Sequence, residues 1–172
     1  MNYDAADGGS IVVLPHAQVH LSAHPDVVGL LAEAIGRITL PRHGAFVEIA
    51  VEMGRVVGRS GCVATAPILP ADVATFALRM RREKPSRVMV GVEGPASTTV
   101  VVIARPLKAL GEYALVTSFI GTLPMKEPWD RALRPGSPGA RASLDFWCCN
   151  ALVYDPEVMA PTFESSWNSI MA

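Results

Sequence analysis

Two apolar runs dominate the pattern of hydrophobic and polar positions along this chain. Residues 98–105 read TTVVVIAR and residues 112–120 read EYALVTSFI, joined by the short polar link PLKALG. Both are rich in β-branched and aromatic residues, and both fall far short of a membrane-spanning length. The spacing predicts a long antiparallel hairpin at the centre of a sheet.

Upstream, Val27, Leu30, Leu31, Ala34, Ile35 and Ile38 fall at the intervals of one helical face. They predict an amphipathic helix over 26–38, with Asp26 and Arg37 placed to suit its dipole. Residues 45–52 (AFVEIAVE) alternate Val47, Ile49 and Val51 with Glu48 and Glu52, the signature of a half-buried strand. Met53-Gly54 turns the chain into a strand over 55–59, Gly58 and Gly61 mark a bend, and residues 62–65 continue the sheet. Val73, Phe76, Ala77 and Met80 predict a second amphipathic helix over 70–82, opened by Pro70. A strand over 86–92 precedes the central hairpin.

Residues 121–142 are rich in Pro, Gly and Arg and read as a long surface loop, of a kind that is functional or mobile. Ser143 is placed to cap a helix through LDFWCCNAL. Helix, strands, helix, strands in that order define an α+β protein: an antiparallel sheet of about five strands, N-terminal helices on one face and a C-terminal helical segment. Its expected division is a loose tail over 1–10, one domain over 11–155, and a tail over 156–172, carrying Phe163 and Trp167, that packs as a short helix or docks on a partner.

Composition narrows the functional classes. The 172 residues include 15 basic and 16 acidic side chains, a net charge of −1, so overall charge draws no nucleic acid to the chain. Half the residues are hydrophobic and 18% are charged, as in a folded domain. Three cysteines, two of them adjacent (Cys148 and Cys149), do not make a disulfide framework. No secretory signal or membrane span is read, and the expected location is the cytoplasm. No P-loop, dinucleotide fingerprint, GxSxG elbow or kinase signature occurs.

Several residues qualify for chemistry. His16, His20 and His24 are four apart and share one face if helical, an arrangement suited to a metal or to general acid–base work. Pro25 opposes helical backbone at His24, and no further ligand follows at metal spacing. Arg55, Arg59 and Ser60 lie at the expected strand bend, where a guanidinium can fork onto a phosphate. Thr117 is expected on the face of Tyr113, Leu115 and Phe119, and Ser118 on the other. Arg79, Arg81, Arg82, Lys84 and Arg87 form a basic cluster that reads as a phosphate track or as a solvated helix end.

The strand Val100 to Arg105, followed by Leu115 to Phe119 with Ser118 where alanine is usual, resembles the metal-independent ribonuclease toxins of the barnase–EndoU–colicin–RelE-like group. The resemblance spans residues 11–125. It implies RNA cleavage by transesterification without a cofactor. His16 or His20 would be the acid or base, Arg59 the cation and Thr117 the donor. Beside these, Arg55 and Ser60 at the strand bend and Ser118 and Phe119 at the strand end are the expected substrate contacts. Two other readings stand beside it. One is a non-catalytic interaction or accessory module, of phage or mobile-element type, binding a protein partner or a second copy through 121–142 or 156–172. The other is a metal enzyme using the His16/His20/His24 row.

Overall fold

The computed structural model describes residues 1–21, 25–42, 44–79 and 84–172, without the side chain of His20. The protein is α+β. In chain order its elements are β1 (Asn2–Asp4), β2 (Ser10–Val12), α1 (Pro15–Leu21), α2 (Pro25–Val28), α3 (Leu31–Ile35), β3 (Val47–Glu52), β4 (Gly58–Arg59), β5 (Cys62–Ala64) and β6 (Ala74–Ala77). There follow β7 (Ser86–Met89), β8 (Ala96–Ser97), β9 (Thr99–Pro106), β10 (Glu112–Ile120), α4 (Pro138–Cys149), β11 (Asn150–Val153), β12 (Phe163–Ser165) and α5 (Trp167–Met171). The chain forms two compact units, Met1–Ser60 with Ala96–Leu123, and Gly61–Pro95 with Pro124–Ala172.

The first unit holds a sheet in the order β1-β2-β10-β9-β3. The expected hairpin is its centre, with β9 and β10 antiparallel. The sheet is mixed, because β2 runs parallel to β10. Residues 2–4, expected in a loose tail, pair with β2 instead. Val100, Val102 and Ala104 of β9 and Tyr113, Leu115 and Ile120 of β10 build one core with Ala17, Leu21, Val27, Leu31, Ala34 and Ile35 of α1, α2 and α3. The helical stripe over 26–38 is therefore buried as its spacing predicts, but the helix breaks at Gly29–Leu30. Glycine costs about 1 kcal/mol against alanine inside a helix, and Leu30 stands instead as the N-cap of α3.

One register shift governs β10. Leu115 pairs with Ala104 but Thr117 pairs with Ile103, so Val116 is an extra residue in the strand. Directly opposed residues share a face, and one extra residue inverts every side chain that follows. Ser118 and Ile120, not Thr117 and Phe119, thus face the same side as Tyr113 and Leu115. This corrects the expected grouping of Thr117 with Leu115.

The second unit carries a sheet in the order β12-β6-β7-β11-β5, with β11 parallel to β7. Residues 74–77, expected within a helix, form a strand between β12 and β7. Four apolar residues were too few to fix a period. Phe76, fully buried, instead meets Trp167 edge-on, with ring centroids 5.0 Å apart. Of the two expectations for residues 156–172, the short packed helix is the one present at Trp167, which opens α5 and lies in the core. The helix expected from Ser143 starts earlier: Pro138 opens α4, and the Ser137 side chain accepts from the Ala140 amide.

Two substitutions test these contacts. Trp167→Ala removes a fully buried indole and its edge contact, and is expected to cost about 3–5 kcal/mol in denaturant unfolding. Gly121 has φ +125° in the first unit, and a Cβ there would meet Ser60 Oγ at 2.5 Å. Gly121→Ala is expected to cost on the order of 1–3 kcal/mol by the same measurement. An unchanged midpoint in either variant contradicts the packing described.

Candidate functional site

α1 directs Ala17 and Leu21, four residues apart, into the core of the first unit, and leaves His16 exposed. His20 lies on the same helix, and His24 lies outside the described residues. Thr117 and Phe119 project from the face of β10 opposite to the one that receives Ala17 and Leu21. The helix bearing His16 and the Thr117 hydroxyl are thus on opposite faces of one sheet. Among the described residues no group of three or more His, Cys, Asp or Glu side chains is placed to hold a metal ion.

Residues 58–60 do reach the end of β10. A Cβ on Gly58 would touch Ile120 Cδ1 at 2.6 Å, and Ser60 abuts Gly121. Arg59 is exposed on β4, which pairs with β8, while Ser60 is buried. The structure therefore brings Arg59 and Ser60 to the strand end that carries Phe119, and does not bring α1 there on Thr117's face.

Several candidate groups are engaged internally. Ser118 is fully buried and donates to the Val101 carbonyl at 2.7 Å, which corrects its expected role against substrate. Arg55 forks onto Glu33, Nη1 to Oε1 at 2.8 Å and Nη2 to Oε2 at 2.6 Å. Arg37 adds a second guanidinium to Glu33 at 2.5 Å and donates from Nη1 to the Glu52 carbonyl at 2.9 Å. The Arg55 hydrogen bonds, helped by the charges of Arg55 and Arg37, hold the Glu33 carboxyl at about 2. The Gly54 amide and the Thr98 hydroxyl lower the Glu52 carboxyl below its usual range.

In the second unit the basic cluster has structural duties. Arg79 pairs with the buried Glu127 at 3.0 Å, and the Ser86 hydroxyl donates to the same carboxylate oxygen. Lys84 donates to the Ile170 carbonyl. Arg87, only 5% exposed, donates from Nη1 to the carbonyls of Trp147, Cys148 and Asn150 at the C-terminal end of α4. A cation there answers the helix dipole and the last carbonyls. Burial pulls the Arg87 guanidinium below its ordinary value, and burial pushes the Cys148 thiol up. Arg81 and Arg82 lie outside the described residues.

The expected surface loop 121–142 is pinned as well. Trp147 Nε1 donates to the carbonyls of Met125 and Lys126, Ser143 Oγ to the Lys126 carbonyl, and Trp129 Nε1 to the Pro85 carbonyl. These donors, with Glu127, tie residues 125–129 to α4 and β7.

The feature that sequence reasoning passed over is the outer edge of β3. Met53 donates its amide to Thr98 at 2.8 Å, which fixes the ladder pattern. Val47, Ile49 and Val51 turn their backbone groups to β9, and Glu48, Ala50 and Glu52 turn theirs outward. Arg37 covers the outward carbonyl of Glu52. The amides and carbonyls of Glu48 and Ala50 have no partner among the described residues. An open cleft of about 320 Å³ runs along this edge, lined by residues 37–39 and 49–52. Phe46, just ahead of β3, is 54% exposed. Alternation in residues 45–52 announces the strand, but nothing in it announces that one side stays unpaired.

No family model matches the chain, and neither a curated protein nor a solved structure matches it. Among the described residues no helix is long and apolar enough to cross a membrane.

The Glu33 network yields a pH prediction. Its carboxyl is depressed from 4.5 to about 2, so its contribution to folding is complete above about 4.5 and fades as pH falls toward about 2. A carboxyl carbon NMR titration is expected to place the Glu33 midpoint near 2, and Arg55→Ala to move it back toward 4.5. An unmoved midpoint in Arg55→Ala rules out the fork as its cause.

Proposed function

We propose that this chain is a non-catalytic interaction module that takes an extended segment of another protein along the free edge of β3. The observation that carries the proposal is the row of outward backbone groups at Glu48 and Ala50, beside an open cleft and the exposed ring of Phe46. An edge strand of this kind is a template for another strand, with main-chain hydrogen bonds supplying the affinity and flanking side chains the choice of partner. β3 is six residues long, and the part of its edge that Arg37 leaves open suffices for one short added strand.

The interaction reading is favoured over the ribonuclease reading by the placement of the candidate groups. Transesterification needs acid, base and cation about one phosphate. The helix of His16 and the hydroxyl of Thr117 are on opposite sheet faces.

Two measurements separate the readings. Purified protein incubated with RNA in EDTA is expected to leave it intact, and cleavage lost in His16→Ala would restore the ribonuclease reading. Display selection of random peptides on the immobilised chain is expected to enrich β-prone sequences that shift the amide resonances of Glu48 and Ala50. Ala50→Pro removes one outward amide and leaves the β9 side of the ladder intact. Peptides that bind this variant equally well would sink the proposal.

A further inference from the structure

The chemistry of the segment that this edge would accept is written in β3 itself; the argument rests on the edge-binding reading above. Glu48, Ala50 and Glu52 project from one face of the strand, and all three are exposed. Glu52 is held in place by its bonds to the Gly54 amide and the Thr98 hydroxyl, each 2.9 Å. Glu48 makes no ion pair among the described residues. A strand added to this edge sets its own residues directly opposite these three, about 5 Å away. Two of them therefore stand against carboxylates, and the one between stands against a methyl group. On the other face the alternate residues of the added strand meet Ile49 and Val51 and overhang the cleft that Ile38 lines.

We infer that the β3 edge selects an extended protein segment of the pattern basic–apolar–small–apolar–basic. The same charges act against competing occupants. A second copy pairing Ala50 with Ala50 sets each Glu48 against a Glu52, and like charges directly opposed are destabilising. A nucleic-acid backbone would bring phosphates to the same two carboxylates. Arg37, bound to the Glu52 carbonyl, closes the far end of the edge. The open stretch therefore runs from Phe46 to Ala50, and the contact at Glu52 is made through the side chain.

The full chain is titrated with three labelled peptides of equal length, with cores Lys-Val-Ala-Val-Lys, Gln-Val-Ala-Val-Gln and Glu-Val-Ala-Val-Glu. Anisotropy gives affinity, and the amide resonances of Glu48 and Ala50 report the site. The lysine peptide is expected to bind on the order of tenfold more tightly than the glutamate peptide, with the gap closing as salt is raised. Glu48→Lys, an exposed change that leaves the fold intact, is expected to weaken the lysine peptide roughly five-fold and to strengthen the glutamate peptide. Equal binding of all three peptides at these amides would overturn the charge rule and leave the edge-binding reading standing. No binding of any peptide up to about 1 mM would overturn both. Self-association without peptide, abolished by Ala50→Pro, would make a second copy the occupant and also overturn the inference.

Discussion

The backbone ladder of β9 is the constraint on which the first unit depends. Val100, Val101, Val102 and Ala104 are each fully buried, so the peptide groups between them have no water to turn to. A buried backbone group left unpaired costs about 1–3 kcal/mol. β9 must therefore be flanked on both sides along this stretch, and β3 and β10 supply the two ladders. What β9 demands from one side of β3 leaves the other side of β3 unmet. The free edge is thus a direct outcome of how the centre of the sheet is satisfied.

Elements with a strong period were legible in the sequence. The run over 112–120 is β10 to the residue, and the run over 98–105 is β9 within one position. Alternation placed Val47, Ile49 and Val51 on one face of β3 and the two glutamates on the other. The bulge at Val116 was not legible, because a valine in a row of strand formers carries no mark of being unpaired. Residues 74–77 were misread for a related reason. Their fate is decided by pairing with β7 and β12, partners that both lie further along the chain, β12 far beyond any local window. For Trp167 and Phe163 the choice between packing and docking stayed open, for want of any sign that Phe76 would receive them.

The candidate chemistry was legible as residue types and illegible as partnerships. Ser118 lies in an apolar run, which is how a catalytic donor would look in sequence, and Ser143 looks like a helix cap. Both instead donate to a chain carbonyl. Arg79, Lys84 and Arg87 looked like a cationic track, yet each reaches a carboxylate or a chain carbonyl within the second unit. Arg55 looked available and is forked onto a glutamate 22 positions earlier. A sequence lists donors and cations, and only the fold says which of them already have employment.

The extra residue in β10 also sets which changes of length that strand tolerates. Without Val116, Thr117 would follow Leu115 directly and still stand opposite Ile103, so Ser118 and Ile120 would keep the face of Leu115. Loss of Thr117 as well would turn Ser118 and Ile120 away and bring the Phe119 ring toward Ala17 and Leu21. The hydroxyl now matched to Val101 would then lose its acceptor, and a bulky ring would enter space shaped for a smaller side chain. The strand can therefore shed its one unpaired residue but not two, whereas the hairpin tip carrying the exposed Leu110 has no such parity to protect.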